Sequence, residues 1–90
     1  MKNDTKLDDW RNQIDALDEA LISLLSKRMM IVQKIGVLKK QKSIPFFDPN
    51  RRKKLLSSLV SKAKARGLDL RLVTEIWNII HKHALTIESV

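Results

Sequence analysis

Apolar residues in the first part of the chain fall at Leu7, Trp10, Ile14, Leu17, Leu21 and Leu24, and again at Ile31, Ile35 and Leu38. Steps of three and four put them along one side of a helix, as a narrow seam suited to lengthwise packing against other helices. The seam position between Leu24 and Ile31 is Arg28. Gly36 does not interrupt the pattern, so the spacing predicts one helix from about residue 6 to residue 42.

Ser43-Ile44-Pro45-Phe46-Phe47 reads as a loop, because Pro45 forces Ile44 away from helical angles. Asp48-Pro49 is a start signal, a capping carboxylate followed by proline in the first helical position. The second helix carries Leu55, Leu56, Leu59, Val60 and Ala63 on one face and stops at Gly67. Asp69 caps a third helix whose stripe is Val73, Ile76, Trp77, Ile80, Ala84 and Ile87. No segment alternates with period two for long enough to be a strand, and no repeat or second domain is visible. The expected fold is therefore all-α, with one long and two shorter helices in a single domain over residues 1–90. A helix over residues 6–42 spans roughly 55 Å, whereas a compact domain of this size has a radius of gyration of only about 13 Å. Covering that seam calls for a second copy, so the expected assembly is an intertwined helical homodimer.

Composition narrows the chemistry. Without cysteine there is no disulfide, thiolate nucleophile or cysteine-ligated metal. His81 and His83, two apart, diverge on a helix and make a poor metal pair, so neither a metal nor another cofactor is expected. No apolar run approaches a membrane span, and the start Met1-Lys2-Asn3-Asp4-Thr5-Lys6 is too polar for a signal peptide. A cytoplasmic protein that does not engage membranes is the expectation. The net charge of +8 points to an anionic ligand or partner.

Most of the 18 lysines and arginines, such as Lys53, Lys54, Lys62, Lys64 and Arg66, surround apolar stripes and read as a solvated face. Arg28 does not, since a charge in a seam is costly unless something pairs with it. Asp15, Asp18 or Glu19 of a second copy could do so; a small polyanion is the alternative. Lys39 lies eleven residues on from Arg28, three turns plus about 20°, so the two share a face about 16 Å apart along the axis. Arg11 sits roughly 25 Å from Arg28 along the same helix, too far to reach the same small molecule. An antiparallel second copy would return its own Arg11 to Arg28, which predicts two identical sites per dimer, each built from both chains.

Trp10-Arg11-Asn12-Gln13-Ile14-Asp15-Ala16-Leu17-Asp18, Leu24-Leu25-Ser26-Lys27-Arg28, Gly36-Val37-Leu38-Lys39 and Asp48-Pro49-Asn50-Arg51 together resemble the all-helical class of chorismate mutases, over about residues 7 to 88. The resemblance implies an intertwined dimer that converts chorismate to prephenate, an isomerisation on the branch toward phenylalanine and tyrosine. It implies that Arg28, with Arg11 of the other chain, binds the two carboxylates, for which forked guanidinium donors are suited. Lys39 would face the ether oxygen, where negative charge grows as the bond breaks. Arg51 would add positive field, and Asp48 would accept from the ring hydroxyl, although capping alone explains Asp48.

Three positions depart from the family pattern or vary within it. Arg52 stands where a glutamate commonly contacts the substrate hydroxyl, and Ala84 where serine is frequent. Glu88 occupies a position held by glutamine or glutamate. Glutamine always donates to the ether oxygen; glutamate does so only when protonated, and ionised it opposes the developing charge. Arg52, Ala84 and Glu88 thus complete the expected substrate-binding set of Arg11, Arg28, Lys39, Asp48 and Arg51. An isochorismate-pyruvate lyase on the same scaffold is the nearest rival, but the Asp48–Arg51 segment looks more like a mutase. A basic helical nucleic-acid-binding protein is permitted by the charge and by Arg51-Arg52-Lys53-Lys54. Phe46 and Phe47, however, do not interleave with basic residues, and a seam arginine cannot reach a phosphate backbone. The missing acceptor at Arg52 also leaves room for a weakly active module boosted by docking to another shikimate-pathway enzyme.

Overall fold

The computed structural model describes residues 4–90; the polar opening at Met1–Asn3 read against a signal peptide lies outside the described residues. The described residues form three helices and no strand: α1 at Thr5–Gln41, α2 at Pro49–Ala65 and α3 at Leu70–Glu88. The all-helical order expected from the spacing is the order observed. No described helix is long and apolar enough to cross a membrane.

The chain divides into two units, residues 1–31 and 32–90. In the first, Asp4 starts α1 by accepting hydrogen bonds at Oδ1 from the backbone N–H of Lys6 (3.1 Å) and Leu7 (3.3 Å). Asp8 in the first turn complements the positive end of the helix dipole. The seam here is open: Trp10, Ile14, Leu17, Leu21 and Leu24 are 55–64% exposed.

The second unit holds the last turns of α1 together with α2 and α3. Its core is small, formed by Val32, Ala63, Val73, Ile80 and Ala84. Leu55, Leu56, Leu59, Val60 and Trp77 flank it half-buried, while Ile76 stays exposed. α2 and α3 pack on each other as a hairpin. The buried positions of α1 are Val32 and Gly36, whereas the seam residues Ile35 and Leu38 face outward. The α1 face that packs within the second unit is therefore displaced around the helix from the face read as the seam.

Local chemistry sets each boundary. α1 closes through Ser43, held at φ 55°, with the Ile44 N–H donating to the Lys39 carbonyl at 2.8 Å. Asp48 caps α2 with Pro49 directly inside it, and Asp69 caps α3 by accepting from the Arg71 N–H at 2.8 Å. Between them Gly67 adopts φ 69°, and the Leu68 N–H reaches back to the Ala63 carbonyl at 2.9 Å. A Cβ at Gly67 would touch nothing, so strain there is confined to the backbone. Gly67→Ala is expected to lower the free energy of unfolding by about 1 kcal/mol without changing helical content, as urea denaturation followed by circular dichroism will read.

Candidate active site

A lysine at the end of α1 organises the second unit's polar interior. Lys39 lies in the last turn, where the negative end of the helix dipole favours a cation. Its side chain is only 19% exposed, and the ammonium has two acceptors from separate elements. It donates to the Phe46 carbonyl in the α1–α2 loop at 2.7 Å and to Glu88 Oε1 at the end of α3 at 2.8 Å. An ammonium has three donors, so one remains for a ligand. Glu88 is itself buried, with its side chain 9% exposed. Ala84 lies one turn earlier on the same face of α3, also buried, and offers the site no hydroxyl.

The neighbouring residues divide their duties. The Asp48 Oδ1 accepts from the Arg51 N–H at 3.0 Å, so this carboxylate serves the helix start. Arg51 is exposed at that start. The Arg52 guanidinium turns to α3 and donates to the side-chain oxygen of Asn78. Phe47, next to Asp48, sets its ring edge-on to His81 with centroids 5.7 Å apart. The second unit thus brings together Lys39 and Glu88, with Ala84 one turn away, and places Asp48, Arg51 and Arg52 on the first turn of α2. A surface concavity runs along α2 past Asn50, Lys54 and Ser61 and includes none of these groups.

Arg11 and Arg28 belong to the first unit. Arg11 is exposed, whereas Arg28 is half-buried. Arg28 Nη1 is shielded from water and has no hydrogen-bond partner among the described residues. A shielded guanidinium nitrogen without an acceptor is an open position for an anion.

The sequence of the chorismate mutase type II family aligns with residues 10–89, nearly the whole chain. The chain belongs to the chorismate mutase type II family. Among its relatives, the T-protein of Enterobacter agglomerans is 32% identical over 79 residues, covering 88% of this chain and 21% of that protein. The bifunctional chorismate mutase/prephenate dehydratase of Escherichia coli K12 is 34% identical over 70 residues, covering 78% and 18%. The chorismate mutase of Methanocaldococcus jannaschii is 27% identical over 78 residues, covering 87% and 79%. The chain therefore spans about a fifth of the T-protein and of the bifunctional relative, and most of the archaeal one.

For a chain of this family, two features of the arrangement had little local signal. The Phe46 carbonyl is a backbone acceptor, foreshadowed only by Pro45 shaping the loop. Asn78 lies 26 residues from Arg52, so their pairing depends on how α2 and α3 pack. Asp48 yields a test of its two duties. Asp48→Ala should cost about 1 kcal/mol of stability through the lost cap, and Asp48→Asn only a few tenths, both measured by urea denaturation.

Proposed function

We propose that this chain is a chorismate mutase working as a homodimer, with each site drawing on both copies. The observation that carries the reading is the half-buried Lys39 ammonium, held by Phe46 and Glu88 with one proton still to give, in a chain of this family. The reaction is a unimolecular rearrangement: the ether C–O bond breaks as a new C–C bond forms, with no atoms lost or gained. It needs a folded, chair-like conformer of a dianion and stabilisation of the negative charge that grows on the ether oxygen. Arg28, with its open nitrogen, takes one carboxylate, and Arg11 of the second copy takes the other. The free proton of Lys39 points its charge at the ether oxygen. Arg51 and Arg52 add positive field at the start of α2. Prephenate as the product agrees with relatives whose name joins chorismate mutase to prephenate dehydratase.

The second copy is argued from the uncovered seam. Five large apolar residues over Trp10–Leu24 remain more than half exposed, and full burial of such a side chain contributes about 1.5–3 kcal/mol. Their three-and-four spacing fits another helix laid lengthwise, and an identical seam satisfies that requirement. In an antiparallel pair Arg11 of one copy approaches Arg28 of the other.

Two measurements test this. Chorismate loss should be catalysed by the purified protein and nearly abolished by Arg11→Ala or Arg28→Ala, with helical content retained. Unfolding the two inactive variants together and refolding them should restore about a quarter of wild-type turnover, since half of the dimers are mixed and each carries one intact site. No recovery would contradict a site shared between chains.

Glu88 yields a further test. Its carboxylate, paired with Lys39 at 2.8 Å, stands against the charge developing on the ether oxygen, whereas a glutamine there can donate to that oxygen. Glu88→Gln should therefore raise kcat in the chorismate-loss assay, and an unchanged or lower kcat would remove Glu88 from this role.

A further inference from the structure

We propose that Gly36 is a positioning residue for this site: by carrying no side chain, it lets the end of α3 seat on α1 so that the Glu88 carboxylate meets Lys39. A Cβ at position 36 would stand 2.7 Å from the Glu88 α-carbon, 2.8 Å from its carbonyl oxygen and 3.2 Å from its carbonyl carbon. All three are backbone atoms, so no rotamer change relieves the crowding. Gly36 has no left-handed backbone angle to demand glycine, unlike Gly67. In a helix interior glycine is unfavourable by propensity alone, so the close approach is what its place in α1 provides.

The geometry links this contact to the chemistry. Gly36 and Lys39 are three residues apart and neighbours on one face of α1. With the α3 backbone seated at Gly36, the Glu88 side chain reaches one turn along to the ammonium at 2.8 Å. Lys40, the next residue, donates to the Val90 carbonyl just beyond Glu88, a second tie on the same terminus. No Cβ stands closer than about 3.0 Å to a backbone atom and ordinary contact begins near 3.4 Å, so alanine at 36 must move the two backbones apart by about 0.3–0.7 Å. A displacement of that order loosens the geometry of the Glu88–Lys39 pair while leaving Lys39 on its own helix.

The catalytic part of this inference rests on the mutase reading, with Lys39 and Glu88 at the breaking ether; the structural part does not. Since Glu88 is the group that Gly36 places, Gly36→Ala should shift kcat in the direction that Glu88→Ala shifts it, by up to the same factor, with KM changed less than about threefold because the arginines hold the carboxylates. In a Glu88→Ala background the same change should alter kcat less than about twofold further, since the group it positions is gone. Independent effects that multiply, or a kcat that is unchanged or shifts the other way in the single variant, would overturn the role.

A wild-type protein without chorismate turnover would sink the mutase reading and leave the following arm to decide this one. Urea midpoints of Lys39→Met, Glu88→Gln and the double variant should be non-additive with Gly36 present and additive with alanine there. Equal coupling in both backgrounds would refute the positioning role, as would loss of the helical signal in Gly36→Ala, which would make Gly36 a folding residue. In the unmutated protein, a nuclear Overhauser contact between the α protons of Gly36 and Glu88 is expected, and its absence would equally refute the proposal.

Discussion

An ammonium removed from most of its water has to be given acceptors, and Lys39 finds them on two other segments of the chain. The Phe46 carbonyl fixes the loop that follows α1, and the Glu88 carboxylate fixes the end of α3. Hydrogen bonds to charged groups contribute about 1.5–3 kcal/mol when shielded, so two of them weigh heavily against a core of five buried apolar residues. One cation thus joins three elements that the hydrophobic effect alone would hold loosely. The same arrangement leaves the ammonium with a donor unspent, and that donor is the one the proposed mechanism uses.

The distribution of apolar surface follows a different logic from that of a self-sufficient domain. Small chains bury a modest share of their surface, and this one commits few large side chains to its interior. The residues buried on α1 are Val32 and Gly36, while the bulkier Trp10, Ile14, Leu17, Leu21 and Leu24 lie exposed. The larger apolar side chains of α1 are thus left outside the chain's own interior, available to the proposed association. In the proposed dimer, assembly and site formation are then a single event, because the arginine supplied across the interface is carried on that same uncovered helix.

Helix boundaries were legible because their causes are local. Asp48-Pro49, Asp69 and Gly67 each act within four residues of the end they define, and the observed helices begin and end beside them. Of the residues named for the site from the family resemblance, Lys39 and Glu88 do meet. What the sequence could not show were contacts fixed only by packing. Arg52 and Asn78 are 26 residues apart, and Gly36 touches a backbone 52 residues away that no side-chain pattern reports. The period-based reading of α1 found the larger stripe, Leu7 to Leu38, and passed over the face of Val32 and Gly36, because a buried glycine has no hydropathy to register.

Two of the three unusual positions are changes of charge, the Ala84 position being neutral either way. Arg52 where a glutamate is common removes a negative charge and adds a positive one, while Glu88 instead of the glutamine that also occurs there adds one negative charge. The Asn78 carbonyl holds the Arg52 guanidinium, so its charge is fixed at the first turn of α2. In the proposed site a dianion would meet Arg28, Lys39, Arg51 and Arg52 together with Arg11 of the second copy, against Asp48 and Glu88, still a cationic balance within a chain of net charge +8. A carboxylate beside the catalytic cation is tolerable in such a field. Its field at the ether oxygen is nevertheless short-ranged and local, and the distant arginines do not cancel it. On the proposed reading, binding and catalysis would respond to different charges: the surplus of arginines to capture of the dianion, and the Lys39–Glu88 pair to the step that follows.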